Sequence, residues 1–202
     1  LHSGYTFRSF QILSEQRKLG YETLQVTGIK HTAPYTPTET VDGLTFYRTP
    51  PKNNIISKLP ILNQWQVVSS LKKRIEEIIK TEKVDIIHAH SPVLNGLAGL
   101  QVGKKHNIPV HYEIRAFWED ASVSHGTSKE GDLRYTLTKA LETYVVKNVA
   151  SVTTICDGLK QDLISRGIEQ EKITLIPNAV DISKFSGPQD ANTALVEKLG
   201  TK

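Results

Sequence analysis

Apolar positions along the chain alternate between the spacing of helices and the short runs of buried strands. Between residues 63 and 82 the apolar side chains Val68, Leu71, Ile75 and Ile78 recur at helical spacing. The pattern predicts helices over 5–18, 63–82, 92–106, 133–149 and 158–166, and strands over 22–27, 44–48, 85–88, 110–114, 151–155 and 173–176. Residues 32–40, and the stretch between 114 and 133, are predicted to be loops.

Strands separated by helices predict an α/β fold with a parallel, doubly wound, Rossmann-like sheet. The chain opens with a loop and a helix, so no strand precedes Tyr5. The first strand of such a sheet is usually central. We therefore expect a further strand to come before Leu1 in the natural protein.

Composition narrows the class of protein. The 202 residues include 38% hydrophobic and 23% charged residues, with a net charge of +4 and no apolar run of the length that a membrane span needs. A single cysteine, Cys156, excludes an intramolecular disulfide and suits the cytoplasm. Basic residues cluster at 72–74 and 104–106. They either form solvated helix faces or attract an anionic membrane or lipid. They are not interleaved with aromatics, which argues against nucleic acid.

Ligands of open parallel sheets bind beyond the carboxyl ends of the strands, so polar residues there are candidates for a site. Ser3 and Gly4 open the first helix, where backbone amides either are capped or approach a phosphate, and Arg8 would add a positive charge one turn later. The chain has no G-x-G-x-x-G. Strand 22–27, the second of the fold when the expected strand before Leu1 is counted, is followed by Gly28 rather than by an acid. Both features argue against a nicotinamide dehydrogenase.

The segment VDIIHAHSP places His88 and His90 on one face of a strand. Two histidines at this spacing could share a metal, but the sequence offers no evident third ligand, so no metal site is predicted. The alternatives are a histidine that forms hydrogen bonds in a cleft and one that only packs or caps.

The segment VHYEIRAFWED carries Glu113, Arg115, Trp118 and Glu119 directly after or within a strand. Aromatic rings beside carboxylates and an arginine suit sugar recognition, because the ring stacks on the sugar and the charges bind hydroxyls or phosphate. The structural alternative is an Arg–Glu pair and a packed Trp. Asp157 ends the next strand, either as a helix N-cap or facing the same cleft.

The tail KITLIPNAVDISKF is a strand that ends at Pro177 and continues as a linker. We expect residues 1–176 to form one Rossmann-like domain. Residues 177–202 are then an interdomain crossover and the start of a second domain that this chain does not include.

In this order, the segments SGYTFRS, KLGYE, VDIIHAHSP, IPVHYEIRAFWED, VTTICDGLKQDL and IPNAVDISKF resemble the acceptor-binding domain of glycosyltransferase family 4, which has the GT-B fold. The resemblance spans residues 3–185. SGYTFRS and YEIRAFWED look most like a bacterial branch associated with exosortase and exopolysaccharide genes.

The resemblance implies a retaining transferase of the hexosyltransferase type, which moves a sugar from a nucleotide-sugar to an acceptor hydroxyl without a metal or cofactor. The acceptor would be lipid-linked or a polysaccharide, and the enzyme cytoplasmic, at the inner face of the membrane. Gly4 would approach the donor diphosphate and His90 would face the cleft. Many relatives have a histidine where Arg115 stands, and an arginine cannot act as a base. We expect Arg115 to neutralise a phosphate or carboxylate, and Glu113 or Glu119 to contact the acceptor.

Two other classes of protein fit parts of the pattern. A GT-B nucleotide-sugar epimerase would differ in the catalytic acids of the second domain. A non-catalytic flavodoxin-like or receiver-like module would not need the crossover tail, and a receiver would carry acids at the position of His2 and Ser3.

Overall fold

A computed structural model describes residues 4–30, 35–52 and 60–180 of the chain. The helices are α1 (Gly4–Lys18), α2 (Pro60–Ile79), α3 (Val93–His106), α4 (Trp118–Ser124), α5 (Leu133–Asn148) and α6 (Asp157–Ser165). The strands are β1 (Gln25–Thr27), β2 (Thr38–Val41), β3 (Leu44–Arg48), β4 (Ile87–His90), β5 (Val110–Ile114), β6 (Ser151–Thr154) and β7 (Ile173–Leu175).

The larger sheet has the strand order β4-β5-β6-β7, and every neighbouring pair is parallel. Helices α3, α5 and α6 each connect one strand to the next, the crossover that parallel pairing requires. This arrangement confirms the predicted α/β class and its parallel sheet. Strand β4 begins two residues later than predicted, because the ladder starts where Ile87 pairs with Val110.

The smaller sheet has the order β1-β3-β2, and β2 runs antiparallel to β3. Strand β2 falls partly within the predicted loop 32–40, and its TETV sequence has no apolar alternation because most of it is exposed. Asp42 and Gly43 both have positive φ, 50° and 76°, as a two-residue hairpin turn requires. The Asp-Gly pair was therefore a hairpin signal that pointed to a strand on either side of it.

Strands β1 and β4 are edge strands of the two sheets within the described ranges. In the doubly wound order, the first strand of the fold lies between strands in these positions. The strand expected before Leu1 stays a prediction.

The hydrophobic core lies between the larger sheet and the helices that connect its strands. Tyr112 and Ile114 of β5 are fully buried there, together with Val145 and Val146 of α5. Helix α3 approaches this face through its glycines, since a Cβ at Gly96 would lie 2.9 Å from the Tyr112 ring and from Val145. Among the described helices, none combines the length and the apolarity needed to cross a bilayer.

Two local features differ from the sequence prediction. Residues 118–124 form α4 within the predicted loop, and Asp132 then caps α5 by accepting a hydrogen bond from the backbone N of Tyr135 at 2.7 Å. Asp157 is not the N-cap of α6. Cys156 occupies that position with extended backbone, and Asp157 is the first residue of the helix.

We predict that Gly103→Ala destabilises the domain by about 1–3 kcal/mol, because overpacking forces backbone shifts. The new Cβ would overlap the Val110 side chain and lie 2.6 Å from the Ile108 carbonyl oxygen. Gly158→Ala is the matched control, since nothing lies within 4 Å of its Cβ position, and this variant should be unchanged or more stable by up to about 1 kcal/mol. Urea denaturation of both variants tests the prediction, and equal stabilities would contradict it.

Candidate functional site

Polar side chains cover the face of the larger sheet opposite the core. Parallel pairing sets His88 beside His111, and His90 beside Glu113. The next strand continues the row, with Thr153 beside Glu113. Sequence alternation placed His88 and His90 on one face. The cross-strand register, which brings them to Glu113, could not be deduced from the sequence.

Glu113 is the centre of this row and is only 2% exposed. Its Oε1 lies 2.7 Å from Arg8 Nε and 3.0 Å from Arg115 Nε. Its Oε2 lies 2.8 Å from His90 Nδ1 and 3.3 Å from His88 Nε2. Burial opposes ionisation, but the contacts with His88, His90 and Arg115 outweigh it and hold the pKa of Glu113 well below its usual value. We call these five residues the Glu113 cluster.

Arg115 joins the end of β5 to α1. Its Nη1 donates to the Tyr5 carbonyl oxygen and to Ser9 Oγ, both at 3.0 Å. Its Nη2 lies 2.9 Å from His90 Nδ1 and 3.4 Å from Glu113 Oε2. All three guanidinium nitrogens therefore have protein partners. A phosphate could bind Arg115 only by displacing one of them.

Arg8 joins α1 to the residues that follow β7. Its Nη1 donates to the Pro177 carbonyl oxygen at 3.1 Å and to Asn178 Oδ1 at 2.9 Å. Its Nη2 donates to the Ile176 carbonyl oxygen at 3.0 Å. With the Nε–Glu113 bond, four of its five N–H groups are engaged. In this structure Arg8 positions the segment that leaves the sheet.

Burial lowers the pKa of two histidines on this face, His111 and His90. Burial, followed by the neighbouring His88, lowers the pKa of His111 to about 4. His111 Nδ1 lies 2.8 Å from Ser151 Oγ, and its Nε2 lies 3.1 Å from Thr153 Oγ1. Burial likewise lowers the pKa of His90, although Glu113 opposes that shift. Burial therefore favours the neutral form of both His90 and His111.

His88, His90 and Glu113 each offer one possible metal-ligand atom, and these atoms lie within 4.8 Å of one another. The third ligand that the sequence did not reveal is thus Glu113. Its charge, however, is already matched by two guanidinium groups at 2.7 and 3.0 Å. A dication beside two guanidinium groups would be repelled, which disfavours a metal at this position.

Glu119 belongs to a second buried cluster, on the core side of the sheet. It is fully buried, and its Oε1 lies 2.9 Å from Arg166 Nη1. The Arg166 guanidinium also lies 4.1 Å from the centroid of the Phe117 ring and pairs with Asp162. Glu119 therefore has no exposed surface for the acceptor contact expected of it. No pattern in the sequence indicated that it pairs with Arg166.

Trp118 and Asp157 follow the carboxyl ends of β5 and β6 without joining the Glu113 cluster. Trp118 is 42% exposed at the start of α4, and Asp157 is exposed, with its carboxylate 3.4 Å from Gln161 Nε2. Gly4 begins α1 with open space around its Cβ position. Ser3 lies outside the described residues. Two contacts of the cluster that the sequence did not suggest are Ser9 and Asn178.

A parallel doubly wound sheet with charged groups at its carboxyl edge defines a Rossmann-like ligand-binding domain. A family model described as Glycosyltransferase Family 4 matches residues 10–184. The chain belongs to that family and is a glycosyltransferase-type domain, as the ordered motifs indicated. No curated protein matches it significantly in a sequence comparison.

One solved structure supports this fold. Sucrose-phosphate synthase from Thermosynechococcus elongatus aligns with a TM-score of 0.72 at 15% identity, over 99% of this chain and 48% of that one. The chain thus spans about half the length of that protein. HepE from Anabaena, described in complex with UDP and glucose, aligns with a TM-score of 0.47 at 16% identity, over 77% of this chain and 36% of that one.

We predict that Glu113→Ala destabilises the protein by about 3–5 kcal/mol, because it leaves two buried guanidinium groups without their carboxylate. Glu15→Ala is the control. It removes an exposed pair with Lys18, whose side chains are 65% and 71% exposed, and should cost less than about 1 kcal/mol. Urea denaturation measures both, and a comparable loss in the two variants would contradict the role given to Glu113.

Glu142 of α5 is fully buried, and burial, followed by the charge of Glu119, raises its pKa from 4.5 to about 7. Between these values the carboxyl ionises in the unfolded chain but not in the folded one. Its contribution to stability is therefore present below pH 4.5 and is lost as the pH rises towards 7. The loss is at most about 3 kcal/mol.

Glu142→Gln cannot ionise, so we predict that it gains stability relative to the native protein when the pH rises from 5 to 8. Unfolding free energies at both pH values measure the difference. The exposed Glu130 gives the control, since Glu130→Gln should change stability little at either pH. A difference between Glu142→Gln and the native protein that does not vary with pH would be the contrary result.

Proposed function

We propose that this chain is the acceptor-binding half of a retaining glycosyltransferase that uses a nucleotide-sugar. Its membership of glycosyltransferase family 4 supports this, as does its length relative to the sucrose-phosphate synthase chain. The second half, with the nucleotide site, would follow the crossover at residues 177–202. We further propose a bacterial enzyme of surface polysaccharide assembly, in the exosortase-associated branch, that works in the cytoplasm.

The observation that carries this proposal is the Glu113 cluster, which ties the first turns of α1 to the carboxyl edge of the sheet. Arg115 bonds to Tyr5 and Ser9, and so holds the start of that helix against the strand ends. The N-terminus of a helix favours negative charge, as a departing nucleoside diphosphate requires. Gly4 leaves room for a diphosphate to approach the backbone closely.

At the carboxyl edge of the sheet, the exposed groups are proposed to contact the substrates. The buried groups are proposed to hold the exposed groups in place. His90, with a third of its side chain exposed, and Asp157 would contact hydroxyls, and Trp118 would stack on a sugar ring. Glu113 and Arg115 would act from beneath by fixing His90 and α1. No metal is included in the proposal.

The acceptor is proposed to be lipid-linked, with the protein at the inner face of the membrane. Leu62, Trp65 and Lys73 are exposed at helical spacing along one side of α2. An apolar and aromatic stretch beside a basic residue suits contact with an anionic bilayer surface. Of the other basic cluster, Lys105 pairs with Glu76 at 2.9 Å, so it is less available to lipid.

A transfer assay tests the proposed function. The full-length gene product is incubated with UDP-glucose, UDP-galactose, UDP-N-acetylglucosamine or GDP-mannose, with or without a lipid-linked oligosaccharide fraction from bacterial membranes. We expect one donor to release its nucleoside diphosphate faster with the lipid fraction, and NMR of the product to give a retained anomeric configuration. Residues 1–202 alone should not turn over, because the nucleotide would bind to the missing half.

Glu15→Ala lies on the exposed side of α1 and should leave the rate unchanged. No release from any donor would refute the proposed class, an inverted product would refute the retaining mechanism, and turnover by residues 1–202 alone would refute the division of labour between two halves.

A further inference from the structure

His90 Nδ1 lies within hydrogen-bond distance of two competing groups. Glu113 Oε2, which can only accept, is 2.8 Å away, and Arg115 Nη2, which can only donate, is 2.9 Å away. One nitrogen cannot donate to the first group and accept from the second at the same time. The tautomer of His90 therefore depends on which of the two contacts is the hydrogen bond.

The carboxylate is the stronger competitor. If Nδ1 were unprotonated, its lone pair would face an anionic oxygen at 2.8 Å with no proton between them. If Nδ1 carries the proton, it donates a charge-assisted hydrogen bond to Glu113. Arg115 Nη2 then still has Glu113 Oε2 at 3.4 Å as its acceptor. This balance favours the tautomer with hydrogen on Nδ1, which leaves a lone pair on Nε2.

His90 Nε2 has no hydrogen-bond partner in the described part of the chain, and the side chain is 33% exposed. Its other fixed contact is on the backbone, where Asn95 Nδ2 donates to the His90 carbonyl oxygen at 3.0 Å. The charged and titratable neighbours are His88 on the same strand, Glu113 and Arg115 from β5 and its end, and Arg8 of α1 through Glu113. His90 Nε2, the ring nitrogen without a protein partner among the described residues, is thus a hydrogen-bond acceptor.

We propose that His90 Nε2 accepts a hydrogen bond from a hydroxyl of the substrate, and that Glu113 is the positioning residue that fixes the required tautomer. The inference rests on the proposed function and deepens it, because it names the chemical group recognised at this point. A hydroxyl can donate to the lone pair, whereas the diphosphate of a nucleotide-sugar, which offers only acceptor oxygens, cannot. The two arginines offset this little, because four of the five N–H groups of Arg8, and most of those of Arg115, already have protein acceptors.

The tautomer can be observed directly. In the full-length protein labelled with ¹⁵N in its histidine rings, long-range ¹H–¹⁵N correlation distinguishes protonated from unprotonated ring nitrogens. His90→Asn assigns the His90 signals by their loss. We expect Nδ1 to be protonated and Nε2 unprotonated at pH 7.5. A proton on Nε2, alone or together with Nδ1, would overturn the proposal.

Sulfate serves as the probe for the anion alternative, because at pH 7.5 it offers only acceptor oxygens. Adding sulfate should leave the His90 Nε2 signal where it lies in sodium chloride of the same ionic strength. If sulfate instead converts Nε2 to its protonated form, the position recognises an anion and the proposal fails.

Glu113→Gln keeps the shape of the side chain and removes its charge. The amide can donate to or accept from Nδ1, so we expect a mixture of tautomers at His90, with a fall in kcat and little change in KM for the donor. His90→Asn should lower kcat/KM for the acceptor about tenfold, the equivalent of one hydrogen bond. His106→Asn is the control, since His106 lies on the surface 3.8 Å from Glu76 and should leave the kinetics unchanged.

The proposed function and this inference fail separately. A full-length protein without transfer activity would refute the function, whatever the NMR spectrum gives. An active protein with the proton on Nε2 would refute only the role of His90 and Glu113. If Glu113→Gln does not fold by circular dichroism, the spectrum of the native protein still decides the tautomer.

Discussion

A carboxylate removed from water needs partners for its charge, and in this domain Glu113 has four of them. The two arginines come from α1 and from the end of β5, and the two histidines from β4. Since Arg8 also bonds to residues 176–178, one buried charge connects the first helix, two neighbouring strands and the exit from the sheet. Much of the geometry at the carboxyl edge follows from satisfying that charge. Helix α1 itself buries no residue, so polar bonds hold its first turns there rather than apolar packing.

This constraint changes what the charged residues can do. A sequence rich in arginine and glutamate at strand ends invites the interpretation that all of them bind substrate. Here the guanidinium groups of Arg8 and Arg115 bond to protein atoms. Glu119 is likewise paired, with Arg166, on the other side of the sheet. The exposed groups near the strand ends are a smaller set, chiefly His90, Trp118 and Asp157.

The sequence was sufficient for the class of fold and for most elements, because periodicity and breakers act locally. β3 and β5 match their predicted residues, and the order of motifs was enough to place the chain in its family. β2 was missed because an exposed strand needs no apolar alternation. The Glu113 cluster could not be assembled in advance, because Arg8 and Glu113 are separated by 105 positions in the chain. Their contact depends on register and helix placement, which no local pattern encodes.

Strand β5 carries opposite chemistry on its two faces. Tyr112 and Ile114 point into the core, and the residue between them, Glu113, points to the polar row. Displacing β5 by one position against β4 and β6 would exchange these faces, driving a carboxylate into hydrocarbon and an aromatic ring towards the histidines. Such a slip would forfeit both apolar burial and ionic pairing at once. Both faces of β5 therefore fix its register, and they fix with it the position of Glu113 and so of His90.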